Sequence, residues 1–95
     1  MAIRNFLDAR AQAIFNGKSP GKGFPGDLIR VTKRKLEMLH ATVSLNGLRA
    51  PPGNRLEALA GDRKGQHSIR INDQFRVCFV WTDVGPTDVE VVDYH

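Results

Sequence analysis

The sequence predicts a single α+β domain in which two N-terminal helices pack on a small antiparallel sheet. A chain of 95 residues is long enough for one hydrophobic core but not for two. Before Pro51-Pro52-Gly53 the apolar residues recur at helical spacing, and after it they alternate as they do in strands. Helices first and strands afterwards are typical of the α+β class.

A short first helix is predicted from an apolar stripe with i, i+4, i+7 and i+8 spacing, which lies on one helical face. The stripe consists of Leu7, Ala11, Ile14 and Phe15. Asn16-Gly17 is expected to end this helix. Residues 19–26 are rich in glycine and proline, which break helices and strands, and are therefore predicted to form a loop.

A second helix is predicted to begin after Asp27, which stands where an N-cap residue belongs, and to end between His40 and Asn46-Gly47. Its apolar stripe comprises Leu28, Val31, Lys35, Leu36 and Leu39. The opposite, polar side carries Arg30, Lys33, Arg34 and Glu37.

The second half is predicted to form strands. Residues 56–59 are a short strand candidate, followed by a turn over residues 61–65. Three further strands, over residues 67–71, 75–81 and 87–93, are separated by Asn72-Asp73 and by a break at Gly85-Pro86. The middle strand turns its aromatic residues and Val77 to one face, and Arg76, Cys78 and Val80 to the other. We expect an antiparallel meander with helices on one face.

Composition narrows the possible classes of protein. The hydrophobic fraction of 41% is too high for a disordered chain, and no apolar run approaches the roughly 20 residues that cross a bilayer. The first residues lack the apolar core of a signal peptide. Cys78 is the only cysteine and cannot form an intramolecular disulfide, and no His/Cys pair has the spacing of a zinc site. We therefore expect a cytoplasmic protein without metal or cofactor.

Charge is distributed unevenly along the chain. Residues 1–65 contain twelve Lys and Arg against five Asp and Glu, whereas residues 66–95 contain two against five. Such asymmetry favours a basic face that binds a polyanion, although a lysine-rich solvated surface would give the same pattern.

The residues near the end of the chain are chemically sufficient to cleave RNA without a metal. The RNA 2′-hydroxyl can attack the adjacent phosphate if one group takes its proton and another protonates the leaving 5′-oxygen. A guanidinium can stabilise the charge on the phosphorane, and Arg76 could supply it. Asp93, Tyr94 and His95 offer a carboxylate, a phenol and an imidazole in succession. Each also has an ordinary structural explanation: a surface ion pair for the arginine, and a frayed end for the other three.

Several segments of the second half carry a family resemblance. The most specific are Asn72-Asp73-Gln74-Phe75-Arg76 and the ending Asp93-Tyr94-His95, and the Gly61-Asp62-Arg63 turn adds weaker support. With these motifs the chain resembles the HigB-type branch of the RelE/ParE toxin superfamily, the plasmid-maintenance killer proteins. The first half fits a short opening strand near Ile3 and two helices, so the resemblance spans essentially the whole chain.

This resemblance implies a protein with a RelE-like microbial-ribonuclease fold. Such a protein enters the ribosomal A site and cuts mRNA during translation. It implies that Arg76 braces the scissile phosphate and that Asp93, Tyr94 and His95 transfer protons or stack on bases, with acid and base unassigned. The best-known members have a histidine where this sequence has Glu57, and Ala60 stands at a nearby lysine position. Three alternatives follow: the acid–base task rests on the C-terminal trio, Glu57 shares it, or cleavage is slow.

The resemblance also implies partners. The ribosome, through 16S rRNA, and mRNA would meet phosphate-binding side chains, for which the candidates are Lys33, Arg34, Arg63, Lys64 and Arg70. A HigA-like helix-turn-helix antitoxin would neutralise the toxin, and operator DNA would be bound only through that antitoxin. Two alternatives remain open: a ParE-like inhibitor of DNA gyrase that cleaves nothing, and an RNA-binding module that has lost catalysis.

Overall fold

The computed structural model describes residues 1–94. Two α-helices, α1 (Ala9–Phe15) and α2 (Ile29–Ala41), precede four strands: β1 (Glu57–Ala58), β2 (His67–Arg70), β3 (Phe75–Thr82) and β4 (Gly85–Asp93). The strands form one antiparallel sheet in the order β1-β2-β3-β4. The predicted α+β class is confirmed, and the short strand candidate joins the same sheet as the three longer strands.

The core lies between the helices and one face of the sheet. Leu36 and Leu39 of α2 and Ile14 of α1 pack with Val77 and Phe79 of β3, all at most 1% exposed. These positions are the ones that the helical and alternating spacings assign to apolar faces. The periodicity therefore predicted correctly the buried side of α2 and the helix-covered face of β3, although Arg76 and Cys78 on the other face of β3 are buried as well.

Both helices begin later than predicted. Leu7 does not open the first helix: it is 63% exposed and precedes the N-cap Asp8, whose carboxylate accepts a hydrogen bond from the Arg10 amide at 2.9 Å. Asp27, in contrast, is not the N-cap of α2, because it lies inside a 3₁₀ turn, Gly26–Leu28, that precedes α2. Asp8 thus caps α1 as its residue type favours, whereas Asp27 does not cap α2, so residue type alone does not decide which residue caps a helix.

The N-terminal segment runs beside β4 rather than forming a strand of its own. Within the described residues its only ladder contact is an isolated parallel bridge between Phe6 and Val89. Backbone bonds from the Arg4 amide to Pro86 (2.8 Å) and from the Leu7 amide to Val89 (2.9 Å) hold it there. The opening strand expected near Ile3 is thus reduced to one bridge, because this segment pairs too briefly to make a ladder.

Gly85-Pro86 does not break the sheet as predicted. Both residues belong to β4, and the turn is formed by the two residues before them, between Thr82 and Gly85. Proline is tolerated there because its position near the start of an outer strand does not require a ladder N–H. No helix among residues 1–94 is long and apolar enough to cross a membrane.

Candidate functional site

The second face of the sheet, opposite the helices, carries the polar residues. Pairing residues share a face, so the register Arg70–Arg76 and Ser68–Cys78 places these four side chains together, with Glu57 beside Ser68. A cleft of about 490 Å³ opens over this face. Its lining residues are Arg55, Leu56, Glu57, Arg70, Asn72, Asp73, Arg76 and Tyr94.

Arg76 forms the buried part of the cleft. It is 9% exposed, and its guanidinium donates through Nε to Ser68 Oγ at 2.6 Å and through Nη2 to the Arg55 carbonyl at 2.6 Å. Glu57 Oε1 lies 3.2 Å from the same Nη2. A planar group held at Nε and at Nη2 has a fixed orientation, and an oriented guanidinium in a cleft is suited to bind a phosphate.

Tyr94 covers the cleft from the end of β4. Its backbone amide donates to the Gln74 carbonyl at 2.6 Å, and its side chain is part-exposed. Burial raises the pKa of the Tyr94 phenol and the neighbouring Cys78 thiol raises it further, whereas the guanidiniums of Arg63 and Arg76 oppose the shift. The phenol is therefore neutral at physiological pH and able to donate a proton or hydrogen bond.

Asp93 is not brought to the cleft by the sheet. It pairs with Phe75, which lies on the face that the helices cover, and its Oδ2 accepts a hydrogen bond from Gln74 Nε2 at 3.0 Å. Successive residues of a strand point to opposite faces, so Asp93 and Tyr94 diverge. His95, the third member of the predicted trio, lies outside the described residues.

The predicted phosphate-binding residues occupy three different places. Arg70 lines the cleft and is ion-paired with Asp73. Arg63 lies in the turn before β2 and contacts Glu90 on β4 at 3.2 Å, and its neighbour Lys64 is exposed. Lys33 and Arg34 lie on α2 outside the cleft, with Lys33 Nζ 2.7 Å from Glu37.

Ser68 and Arg55 were missed by the sequence-based prediction. The alternation of β2 and its pairing with β3 could have placed Ser68 beside Arg76. The position of the Arg55 carbonyl could not have been found, because it depends on a left-handed backbone (φ 45°, ψ 56°) that a non-glycine residue rarely adopts. Among residues 1–94, no group of three or more His, Cys, Asp or Glu side chains is arranged to hold a metal ion.

Comparison with known proteins shows what this arrangement is similar to. The model of a family described as HigB-like toxin, a RelE-like toxin of the type II toxin-antitoxin system HigB, matches residues 4–95. The chain is 38% identical over 78 residues to Toxin HigB-1 of Vibrio cholerae serotype O1, which covers 82% of each protein. It is 42% identical over 55 residues to an uncharacterized protein of Haemophilus influenzae, covering 58% of this chain and 54% of that protein.

Proposed function

Because the chain belongs to the HigB-like toxins, which are RelE-like toxins of type II toxin-antitoxin systems, we propose that it is a metal-independent endoribonuclease that cuts ribosome-bound mRNA. The observation that carries this proposal is the buried, oriented Arg76 guanidinium in a cleft that it shares with Glu57 and Tyr94. The family assignment does not favour the gyrase-inhibitor alternative.

The proposed reaction is attack of the RNA 2′-oxygen on the adjacent phosphorus. The new O–P bond gives a 2′,3′-cyclic phosphate, and the bond to the 5′-oxygen of the next nucleotide breaks. One protein group takes the 2′-hydroxyl proton and another supplies a proton to the departing 5′-oxygen. Arg76 stabilises the extra negative charge that develops on the phosphorane oxygens.

Glu57 is our choice for the proton acceptor. Its carboxylate touches Arg76, so a phosphate that binds the guanidinium competes with Glu57 and leaves it beside the reacting nucleotide. The neutral Tyr94 phenol is placed to stack on a base or to donate toward the leaving oxygen. His95 follows Tyr94 directly in sequence and remains a proposed donor from the family resemblance.

Asp93 contributes to this scheme indirectly. It holds the Gln74 side chain, and the Gln74 carbonyl holds the Tyr94 amide. We propose that this pair fixes the end of β4, and with it the position of the phenol over the cleft.

The partners follow from the same assignment. A type II toxin has a cognate antitoxin, and we propose that it is a HigA-like helix-turn-helix protein through which operator DNA is bound. We further propose that Lys33, Arg34, Arg63 and Lys64 contact phosphates of 16S rRNA and mRNA in the ribosomal A site, while Arg70 acts within the cleft.

Arg76→Gln tests the proposal. The variant removes the positive charge at the cleft floor, and we expect loss of growth inhibition and at least a hundredfold slower cleavage, since one lost oxyanion-type contact costs about 10²–10³ in rate. Primer extension on mRNA in a translating extract measures the cleavage. Arg30→Ala, a change at an exposed arginine of α2, serves as the matched control and should cleave normally.

Because Arg76 is buried, its variant must be shown to fold, by circular dichroism and by antitoxin binding. Glu57→Gln and Tyr94→Phe remove the proposed acceptor and the phenol from exposed positions at a smaller risk to folding. A folded Arg76→Gln protein that still cuts messages at the wild-type rate would rule out the proposed role. If the wild-type protein left mRNA uncut and arrested DNA replication, the result would instead support gyrase inhibition.

A further inference from the structure

Asn54 is a fully buried amide in an otherwise exposed segment. It is 0% exposed, whereas residues 50–53 and Arg55 on either side of it are exposed. Burying an amide costs free energy unless its polar atoms are hydrogen-bonded. The segment between α2 and β1 is therefore organised around this one side chain.

The Asn54 side chain is satisfied at both ends. Nδ2 donates to the carbonyls of Leu48 (3.1 Å) and Ala50 (3.3 Å) and lies 3.0 Å from Met38 Sδ. Oδ1 accepts from Lys35 Nζ at 2.5 Å. Lys35 and Met38 both belong to α2, so these contacts fasten the exposed segment to the second helix.

The ammonium group of Lys35 donates the hydrogen bond to Asn54. The residue is 9% exposed, and burial lowers the pKa of its ammonium, with Arg34 and Arg70 lowering it further. A buried cation is tolerated only where a good acceptor meets it, and Asn54 Oδ1 is that acceptor. The Lys35–Asn54 hydrogen bond thus holds the Asn54 side chain against α2.

Arg55, the next residue, connects the anchored Asn54 to the cleft. Its backbone is left-handed, which costs a non-glycine residue free energy and persists only where the surroundings enforce it. Its amide donates to the Pro52 carbonyl at 3.1 Å, and its own carbonyl accepts from Arg76 Nη2 at 2.6 Å. That carbonyl belongs to the Arg55–Leu56 peptide, so its direction depends on the φ and ψ of Arg55 and on how the preceding Asn54–Arg55 peptide is held.

We propose that Asn54 is a positioning residue that orients the Arg76 guanidinium through the Arg55 carbonyl. Ser68 holds Nε from β2, and the anchored segment holds Nη2 from the other side of the cleft. The inference rests on the proposed role of Arg76 in binding the scissile phosphate. A purely structural Asn54 would affect stability alone, whereas a positioning residue also sets the orientation of Arg76 and the rate of cleavage.

Asn54→Asp is the sharpest test, because it keeps the size of the side chain and the Lys35 contact but loses the donor to both carbonyls. Asn46→Asp is the matched control: Asn46 lies in the same segment, is exposed, and its Oδ1 accepts from Arg49 Nε at 2.7 Å. The first readout is hydrogen exchange at the Arg76 Nη2–H, which donates to the Arg55 carbonyl, followed by NMR on the full chain labelled with ¹⁵N-arginine. We expect exchange at least about tenfold faster in Asn54→Asp and unchanged in the control.

The second readout is the single-turnover cleavage of ribosome-bound mRNA. Misplacing a catalytic group by about 1 Å can cost roughly a hundredfold in rate, so we expect a ten- to hundredfold slower reaction. The toxin concentration for half-maximal rate should remain within about twofold of wild type, because the phosphate contacts outside the cleft are unchanged. A structural role would not produce this separation of rate from binding.

The outcomes separate this inference from the proposed function. Wild-type exchange and wild-type cleavage in a folded Asn54→Asp protein would overturn the inference and leave the ribonuclease proposal standing. If exchange is faster in Asn54→Asp but the wild-type protein cuts no mRNA, the link from Asn54 to Arg76 stands and the ribonuclease proposal is overturned. If Asn54→Asp does not fold, Lys35→Met is the second variant. It roughly preserves volume and removes the hydrogen bond from α2 to Asn54 Oδ1, and it must accelerate the same exchange for the inference to stand.

Discussion

Arg76 combines a permanent charge with near-complete burial, a combination that requires compensation. Removing a guanidinium from water costs several kcal/mol, and hydrogen bonds and an opposite charge must offset that cost. Ser68, the Arg55 carbonyl and Glu57 provide these contacts. Glu57 formally balances the charge of Arg76, so the excess positive charge belongs to the cleft lining as a whole, in which Arg55, Arg70 and Arg76 face Glu57 and Asp73.

Tyr94 offers a direct spectroscopic check at the residue scale, because it is the only tyrosine of the chain. Burial disfavours the phenolate, so the pKa is raised and the midpoint of ionisation should lie above that of an exposed phenol, about 10. Absorbance of the phenolate during an alkaline titration measures it. Cys78→Ala should move the midpoint back toward the ordinary value, since the thiol contributes to the shift.

The sign of the effect on stability follows from the same shift. The folded state keeps the Tyr94 proton to higher pH than the unfolded chain does, so folding stability contributed by Tyr94 is lost as pH rises through the raised pKa. A midpoint at or below that of an unfolded control in urea would contradict the burial of the phenol.

Single residues of the site were predictable to different degrees. Arg76 and Tyr94 were named from sequence and meet in the cleft, and Glu57 joins them. The strand alternation that placed Arg76 also implies that Asp93 and Tyr94 point apart, although adjacency in sequence favoured treating them as one group. The Arg55 carbonyl was beyond prediction, because the residue type gives no signal for a left-handed conformation at a non-glycine position.

At the scale of elements, the hairpin between β3 and β4 shows a glycine that the fold requires. Gly85 has φ of 126°, and a Cβ built there would lie 2.4 Å from the Ala2 carbonyl oxygen. The N-terminal segment approaches β4 closely at this point, and backbone cannot move aside as a flexible side chain can.

Gly85→Ala should therefore destabilise the protein by about 2 kcal/mol, the size of one strongly unfavourable backbone conformation. Urea unfolding followed by fluorescence of Trp81, the only tryptophan, measures the loss. Gly26→Ala is the control, because its Cβ would meet no atom within 4 Å and its φ is not positive. Equal stability of the two variants would show that the N-terminal segment does not press on the hairpin.

The elements themselves were largely predictable, and their ends were not. The stripe of α2 and the alternation of β3 follow from burial, which dominates the choice between helix and strand. The side chain of Asp8 caps α1, as its residue type favours, but α2 starts after Leu28, which no residue preference identifies. The parallel contact of Phe6 with Val89 joins distant parts of the chain and had no local signal.

On the scale of the whole molecule, the basic character of residues 1–65 predicts a salt-dependent interaction. Binding to ribosomes through several phosphate contacts should weaken steeply as salt rises, with a slope of about 0.7–0.9 per contact on a logarithmic plot. Lys64→Gln should reduce that slope by roughly one contact. Titration of labelled toxin onto ribosomes at increasing potassium concentration measures it.

Lys18→Gln is the control for this measurement. Lys18 is exposed in the basic half of the sequence but follows α1 and is not among the proposed phosphate-binding residues. If Lys64→Gln leaves the slope unchanged, as Lys18→Gln should, or if the affinity of the wild-type protein does not depend on salt, the assignment of a phosphate-binding face is contradicted.

The two margins of the sheet have a consequence for association with other chains. An unpaired strand margin is a template for edge-to-edge aggregation, yet β4 is already bonded along its outside by residues 4–7, and β1 is only two residues long. A partner that inserted itself as an additional strand beside β4 would first have to peel the N-terminal segment away. Among the described residues, neither margin of the sheet therefore offers another chain a long, unpaired strand.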